Sequence, residues 1–462
     1  MKNYGVVRFG QMKKSYYLLS LGCSKNTVDS DSIAQLLNEG GYTGVETAGK
    51  ADVMIVNTCG FIGPARDESI RHLRELATRK KKGQQLIAAG CLSQLWGPRL
   101  AQAVPGLDGI IGTRRWMDIV SFIDTVRGRA KPEPMYHLPT DALTVGDDEH
   151  GAMRTAIQGA SAYLKISDGC RRPCAFCTIP TIKGTLKSRQ PQLIINEARN
   201  LAKSGVRELV LLAQDLTDFG SDLGIKDGLS NLLNDIVREA PGLDWVRLMY
   251  AYPGAVTDKL IETMAAQPKI VKYLDIPLQH GHPATLRRMR RPSNIDWVYR
   301  TVGKMRARIA DLCVRTTFIV GYPGETDEEF DGLMKFVDDM QFDRVGVFTY
   351  SFEPGTPSAD LKDQVPEEVK VARRDALMTK QQQISLVKNQ QQVGKTLTTL
   401  IEGHDRDNEL SFGRSYRDAP EVDGLVIIDG TLPVGEMVPV KINGALEYDL
   451  TGTVELAPIL TG

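Results

Sequence analysis

Between residues 160 and 390 the chain repeats one pattern six times: a short apolar run, then a segment with helical spacing. Strands are expected at 162–167, 207–213, 244–250, 271–276, 314–320 and 343–350. Helices fall near 191–204, 228–239, 256–266, 295–311, 326–340 and 366–392. Strands that alternate with helices pair in parallel, through right-handed crossovers. Eight such units close a barrel. Six give a (βα)6 partial barrel of TIM type, whose chemistry belongs at the carboxyl ends of its strands.

The loop after the first of these strands reads Cys170-Arg-Arg-Pro-Cys174-Ala-Phe-Cys177. Three of the chain's seven cysteines thus fall within eight residues, spaced C-x3-C-x2-C. A 4Fe–4S cluster takes four cysteines, one per iron. A loop with three leaves one iron open to a small molecule that brings its own nitrogen and oxygen. A zinc knuckle is the alternative, but zinc favours closed sets of four N/S ligands. No histidine lies near this loop.

Ahead of the barrel, strands are expected at 16–21, 53–56 and 85–89, with helices at 28–38 and 64–80, the latter carrying Pro64 in its first turn. Each strand runs into one cysteine: Cys23, Cys59 and Cys91. In an open α/β sheet that edge is where ligands bind. A lone cysteine is usually a small buried hydrophobe. Three in the same structural slot, 36 and 32 residues apart, can converge on a second cluster with one open iron. Cys313 lies inside strand five, away from the loops, and is read as a core thiol outside the site.

The expected fold class is therefore α/β in three parts. An N-terminal three-layer α/β domain spans 14–125, and an irregular linker 126–155. The barrel follows over 156–390, and a small all-β barrel over 393–460 has turns at Asp423-Gly424, Asp429-Gly430 and Asn443-Gly444. Lysines plus arginines and aspartates plus glutamates both number 57 in the 462 residues, so nothing global argues for a nucleic-acid or membrane partner. An odd cysteine count in a long chain fits reduced thiols and metal ligands better than disulfides. Met1 to Lys14 lacks the apolar core of a signal peptide, and no run approaches the roughly 18 apolar residues of a membrane span. The expectation is a soluble cytoplasmic protein, with Met12 as an alternative start. The run Arg79-Lys-Lys-Lys82 ends a helix, where cations favour the dipole. From Thr396 to Gly462 the acids outnumber the bases by 12 to 4.

This layout resembles the radical S-adenosylmethionine (SAM) methylthiotransferases from about residue 15 to residue 460, and the aromatic before Cys177 adds to the likeness. Ser20-Leu-Gly-Cys-Ser-Lys-Asn26 with Val28-Asp-Ser30 resembles the ribosomal-protein branch (the RimO type), although Ser24 stands where that branch has proline. Leu212-Ala-Gln-Asp215, Tyr273-Leu-Asp-Ile-Pro-Leu-Gln-His280, Phe318-Ile-Val-Gly-Tyr-Pro-Gly-Glu-Thr326 and Phe412-Gly-Arg-Ser-Tyr-Arg-Asp-Ala-Pro-Glu-Val-Asp-Gly424 match the same branch. The resemblance implies two 4Fe–4S clusters, an auxiliary one on Cys23, Cys59 and Cys91 and a SAM-binding one on Cys170, Cys174 and Cys177.

It further implies that the open iron of the SAM-binding cluster chelates the amino and carboxylate groups of SAM. One SAM methylates a sulfur held on the auxiliary cluster. A second yields a 5′-deoxyadenosyl radical that takes a hydrogen atom from the substrate. The product is a methylthio group on the β-carbon of an aspartate in small-subunit ribosomal protein twelve. A reducing electron donor is required, and the C-terminal barrel becomes the substrate-engaging TRAM domain. The family's other branch, acting on transfer-RNA adenosine, is the alternative. An acidic barrel would repel RNA and attract a basic ribosomal protein, or it serves solubility alone. Asp418, Glu421 and Asp423 are expected on a rim loop of that barrel. Phe176 packs by the SAM adenine or simply within its loop. Gln214 and Asp215 hold SAM's polar groups or cap the next turn. Gly321-Tyr-Pro-Gly324 reads as a tight turn.

Overall fold

The computed structural model describes residues 14–129, 133–140 and 149–454. The alternative start at Met12 lies outside them. The chain forms two compact units, one reaching Met153 and the other beginning at Arg154.

In the first unit β1 (Lys14–Ser20), β2 (Tyr42–Gly44), β3 (Val53–Thr58), β4 (Gln85–Gly90), β5 (Gly109–Ile111) and β6 (Met135–His137) pair in parallel, in the order β2-β1-β3-β4-β5-β6. β3 is buried along its whole length, as a strand covered on both faces must be. On one face Ile33, Leu36 and Leu37 of helix Ser24–Glu39 pack with Phe122 and Ile123 of helix Ile119–Arg127. On the other, Ile70 and Leu73 of helix Gly63–Arg79 pack with Leu100. The three layers expected from the sequence are present. β2, β5 and β6 are each three residues long, too short for a period to show. β6 lies within the stretch 126–155 that reads as linker; its backbone pairs with Gly109–Ile111 and extends the sheet.

The second unit opens with β7 (Thr155–Gln158), β8 (Ser161–Lys165), β9 (Ser167–Asp168) and β10 (Lys187–Ser188). It continues with β11 (Glu208–Leu212), β12 (Trp245–Leu248), β13 (Ile270–Asp275), β14 (Cys313–Val320) and β15 (Arg344–Thr349). The main sheet runs β15-β14-β13-β12-β11-β8-β7. Its six strands from β8 to β15 are parallel, as the alternation predicts, and β7 adds an antiparallel edge. Thr326 and Glu329 form a reciprocal capping box that starts helix Asp327–Met340.

β16 (Thr396–Asp405), β17 (Leu410–Ser415), β18 (Val426–Asp429), β19 (Met437–Ala445) and β20 (Leu450–Val454) close a second, small barrel. Asn443-Gly444 is not a turn: it lies inside β19, where the register shifts by one residue, so the flexible pair makes a bulge instead.

The small barrel is sealed against the amino-terminal ends of the large barrel's strands. Glu208 at the start of β11 is fully buried between Arg247 and Arg414, each 2.6 Å away. Arg417 lies 3.4 Å from Asp343, and Asp418 pairs with Arg344 at 2.5 Å. Tyr273 donates its hydroxyl to Asp423 at 2.7 Å. This corrects the rim-loop expectation. Asp418 and Asp423 expose 1 and 3% of their side chains, and both serve the seam. Only Glu421 of that trio is exposed. Cys313 is buried in the same seam, its thiol 3.4 Å from the Arg417 carbonyl, as expected of a core residue.

Candidate metal centres

In the first unit the strand order reverses between β1 and β3, and a crevice at such a switch point is where α/β sheets bind ligands. Cys23 follows β1 and caps helix Ser24–Glu39, Cys59 follows β3, and Cys91 opens helix Cys91–Trp96 directly after β4. Gly22 brings the first two together. It takes φ +96°, and a Cβ there would stand 2.9 Å from the Cys59 sulfur. Asn26 ties the three loops. Its amide nitrogen donates to the carbonyls of Leu21 at 2.7 Å and Thr58 at 3.2 Å, and its oxygen lies 3.9 Å from Cys91 Sγ. Ser69, from helix Gly63–Arg79, accepts from the Cys59 amide and donates to its carbonyl. Burial pushes the Cys59 thiol up, and the nearby Cys23 adds to this, while the amides of Phe61 and Gly60 pull it down. The amino ends of the two long helices carry partial positive charge that favours a thiolate.

In the second unit the Cys170–Cys177 loop leaves the carboxyl end of β8 through the β9–β10 pair. Gly169 has φ +71°, and a Cβ there would meet the Thr185 carbonyl oxygen at 2.0 Å, so only glycine fits the turn. Beneath it Asp168 is fully buried. Burial alone would raise its pKa, but Lys165, Lys183 and Arg154 outweigh it and hold the carboxyl well below its usual range. The loop is pinned at Ala175, whose amide donates to the Met289 carbonyl and whose carbonyl accepts from Ser358. Burial pushes the Cys170 thiol up to about 11 and the Cys177 thiol up to about 12, and neighbouring sulfurs add to both. Three crowded thiols, with those of Cys170 and Cys177 raised by burial, are a donor set that a cationic centre stabilises as thiolates. Amides of Arg172 and Ile179 already point hydrogens at Cys170 and Cys177, at 3.4 and 3.5 Å.

The other residues of the mouth come from successive strand ends. Arg172 donates to Asp215 at 2.8 Å and stacks 4.2 Å from the ring centre of Tyr252. Asp215 also caps the following turn, its carboxylate accepting from the amide and hydroxyl of Thr217. Gln214 Oε1 and Gln279 Oε1 are buried with no hydrogen-bond partner among the described residues. Such orphaned acceptors are costly unless a polar ligand meets them. Phe176 packs against the Met289–Tyr322–Tyr350 cluster. Gly321 and Gly324 both take positive φ, as a tight turn requires. Arg172, Tyr252, Gln279 and Asn26 were not singled out by residue-level reading, because a single polar side chain on a loop or in the first turn of a helix has no period to mark it.

Among the described residues, no three of histidine, cysteine, aspartate and glutamate stand close enough to share one metal ion. A cluster takes one sulfur at each iron corner, so its ligands stand further apart than those of a single ion. The donor types, their thiol-only composition and the orphaned acceptors fit such a group together with SAM.

Family models match the three parts in turn: the Uncharacterized protein family UPF0004 at residues 15–112, the Radical SAM superfamily at 164–337 and the TRAM domain at 393–454. The fold is similar to that of the radical S-adenosylmethionine methyltransferase TsrM from Kitasatospora setae, with TM-score 0.53 and 14% identity over 83% of this chain and 76% of that one. A protein of Chloroflexus aurantiacus described as ribosomal protein uS12 methylthiotransferase RimO is 48% identical over 95% of this chain and 99% of its own length. A Roseiflexus protein of the same description is 46% identical over 96% of this chain and 98% of its own. A third, from Herpetosiphon aurantiacus, is also 46% identical, over 95 and 99%. Identity of that degree, end to end and across all three parts, means that the chain belongs to the family of ribosomal protein uS12 methylthiotransferases, the RimO family.

Proposed function

We propose that the chain is a radical SAM enzyme that places a methylthio group on the β-carbon of an aspartate in ribosomal protein uS12, using two 4Fe–4S clusters. The observation that carries this reading is the 48% identity along nearly the whole length of a uS12 methylthiotransferase. Cys23, Cys59 and Cys91 hold the auxiliary cluster, and Cys170, Cys174 and Cys177 the SAM-binding one. An aspartate β-carbon is too weak an acid for a side-chain base. The bound cofactors supply radical chemistry and a sulfur donor, and the protein supplies position and electrostatics.

The chain's own residues divide the remaining work. Gln214 offers SAM an unpaired acceptor. Asp215 has one lone pair left on the oxygen that Arg172 occupies, enough for a SAM ammonium. Phe176 lies along the adenine. The aromatic floor of Tyr322 and Tyr350 beneath it keeps water from the radical.

The substrate is taken up as a basic protein from the cytoplasm. Moving Asp418 and Asp423 into the seam also removes Arg414 and Arg417 from the surface, so the small barrel's outer face keeps its acidic excess. That excess disfavours transfer RNA, the runner-up substrate, because phosphates need cations. A low-potential electron donor completes the reaction. Anaerobic reconstitution with iron and sulfide tests the two-cluster reading. About eight irons per chain are expected from two clusters, and about four after replacing either cysteine triplet with alanine. A full-length chain that saturates at about four irons refutes it.

A further inference from the structure

Three arginines crowd the Cys170–Cys177 loop, and two are already matched. Arg171 is held by Asp218 at 2.6 Å and Arg172 by Asp215 at 2.8 Å. Arg291 is not: among the described residues no carboxylate lies within ion-pairing distance of it. Its guanidinium instead places Nη1 3.4 Å from Cys174 Sγ. Nη2 donates to the Pro277 carbonyl, and the group lies 4.5 Å from the ring centre of Tyr252. Among the described residues its Nε is buried with no hydrogen-bond partner.

The placement is built rather than incidental. Helix Pro283–Arg288 ends in a turn with Arg290 at φ +53°, and the Arg291 amide returns to the Leu286 carbonyl at 2.9 Å. The same turn offers the Met289 carbonyl to Ala175, between Cys174 and Cys177. The arginine and the sulfur therefore share one rigid fastening. A cation and an N–H aimed at a sulfur are the two levers by which a protein shifts the potential of an iron–sulfur centre.

We propose that Arg291 is a tuning residue for the barrel cluster, acting through Cys174: it raises the reduction potential and so lets a cytoplasmic donor deliver the electron that SAM cleavage needs. Reduction adds one electron and no proton to the set of irons, sulfides and thiolates. The reduced set carries one more negative charge, and the fixed guanidinium stabilises it more than the oxidised set. The inference rests on Cys170, Cys174 and Cys177 holding the cluster, as proposed above.

The test uses the full chain with Cys23, Cys59 and Cys91 replaced by alanine, so that one cluster remains. Iron content and the reduced-state electron paramagnetic resonance signal of this protein report whether the cluster is there. A chain without either refutes the ligand assignment and this inference with it. Reductive titration then gives the potential. Arg291→Gln is expected to lower the reduced fraction at a fixed potential about tenfold, ~59 mV for a one-electron couple. Arg291→Lys, which keeps the charge but not the fork, should fall part of the way.

Arg287→Gln, an exposed charge on the same helix, should leave the potential in place. An unchanged potential in Arg291→Gln overturns the proposal, as does an equal fall in Arg287→Gln. Should Arg291→Gln not load iron, Arg291→Lys decides: a lowered potential supports the contact and a wild-type value refutes it. Arginine labelled with 15N in the guanidino group gives a second readout. The reduced cluster should show a 15N coupling that Arg291→Lys abolishes, and its persistence in that variant would assign it to another arginine.

Discussion

Glu208→Gln removes the charge at the centre of the seam between the two barrels while keeping the shape of the side chain. Glu208 is fully buried. One oxygen accepts from Arg247 at 2.6 Å; the other accepts from Arg414 at 2.6 Å and from Ser161 at 2.8 Å. Burial would raise its pKa, but the Arg414 and Arg247 guanidiniums prevail and bring it from 4.5 down to about 2. At 1.36 kcal/mol per pKa unit, that is about 3 kcal/mol of stability. Breaking one side of a buried ion pair independently gives about 3–5 kcal/mol. Because the folded pKa is the lower one, the contribution is complete above pH 4.5 and is lost as pH falls towards 2. Chains of several parts do not unfold in two states, so one melting temperature is the wrong readout. Native-state hydrogen exchange of β11 and β17 amides reports the local opening energy. It should fall by about 3 kcal/mol in the variant at pH 7, with the gap from wild type closing below about pH 4.5. A gap under about 1 kcal/mol at pH 7, the size of a surface pair, would refute the reasoning.

Cys174→Ala should stop reductive formation of 5′-deoxyadenosine, and about four irons should remain on the first unit; wild-type cleavage would remove Cys174 from the ligand set. Cys59→Ala should do the reverse, with SAM cleavage measurable and methylthio transfer gone, and normal product yield would sink the two-cluster scheme. Asp407→Lys with Glu409→Lys and Asp429→Lys, at the β16–β17 hairpin end of the small barrel, should weaken uS12 binding and flatten its salt dependence. With about 1 kcal/mol or less per exposed charge, roughly tenfold is expected in total. Equal binding at low and moderate salt would mean that these acids only keep the surface solvated.

The six barrel strands were legible because each is a buried apolar run at a regular distance from the next. The placement of the six cysteines was legible for two reasons: Cys23, Cys59 and Cys91 each come just after a strand, and Cys170, Cys174 and Cys177 share one loop after β8. What the sequence hid was hidden for physical reasons. β2, β5 and β6 are three residues long and are held by pairing with neighbours distant in the chain. Asp418 and Asp423 look like solvent-facing acids on a Pro/Gly loop, and only Arg344, Tyr273 and Arg315, some 75 to 150 residues upstream, make them interior. Arg291 is one of several arginines in a basic run, and only the fold puts it rather than Arg287 or Arg290 against a cysteine. Asn443-Gly444 has turn residues, yet the closed barrel uses them as a bulge.

The central claim is the identity of the substrate, and mass spectrometry of uS12 and of transfer RNA from a deletion strain, with and without this chain supplied in trans, tests it most directly. One aspartate of uS12 should lose its methylthio group in the deletion and regain it with the wild-type chain, gaining the mass of SCH3 in place of hydrogen, and the methylthio content of transfer RNA should not change. A uS12 mass that is the same in both strains, with methylthioadenosine in transfer RNA following the chain instead, would contradict the account.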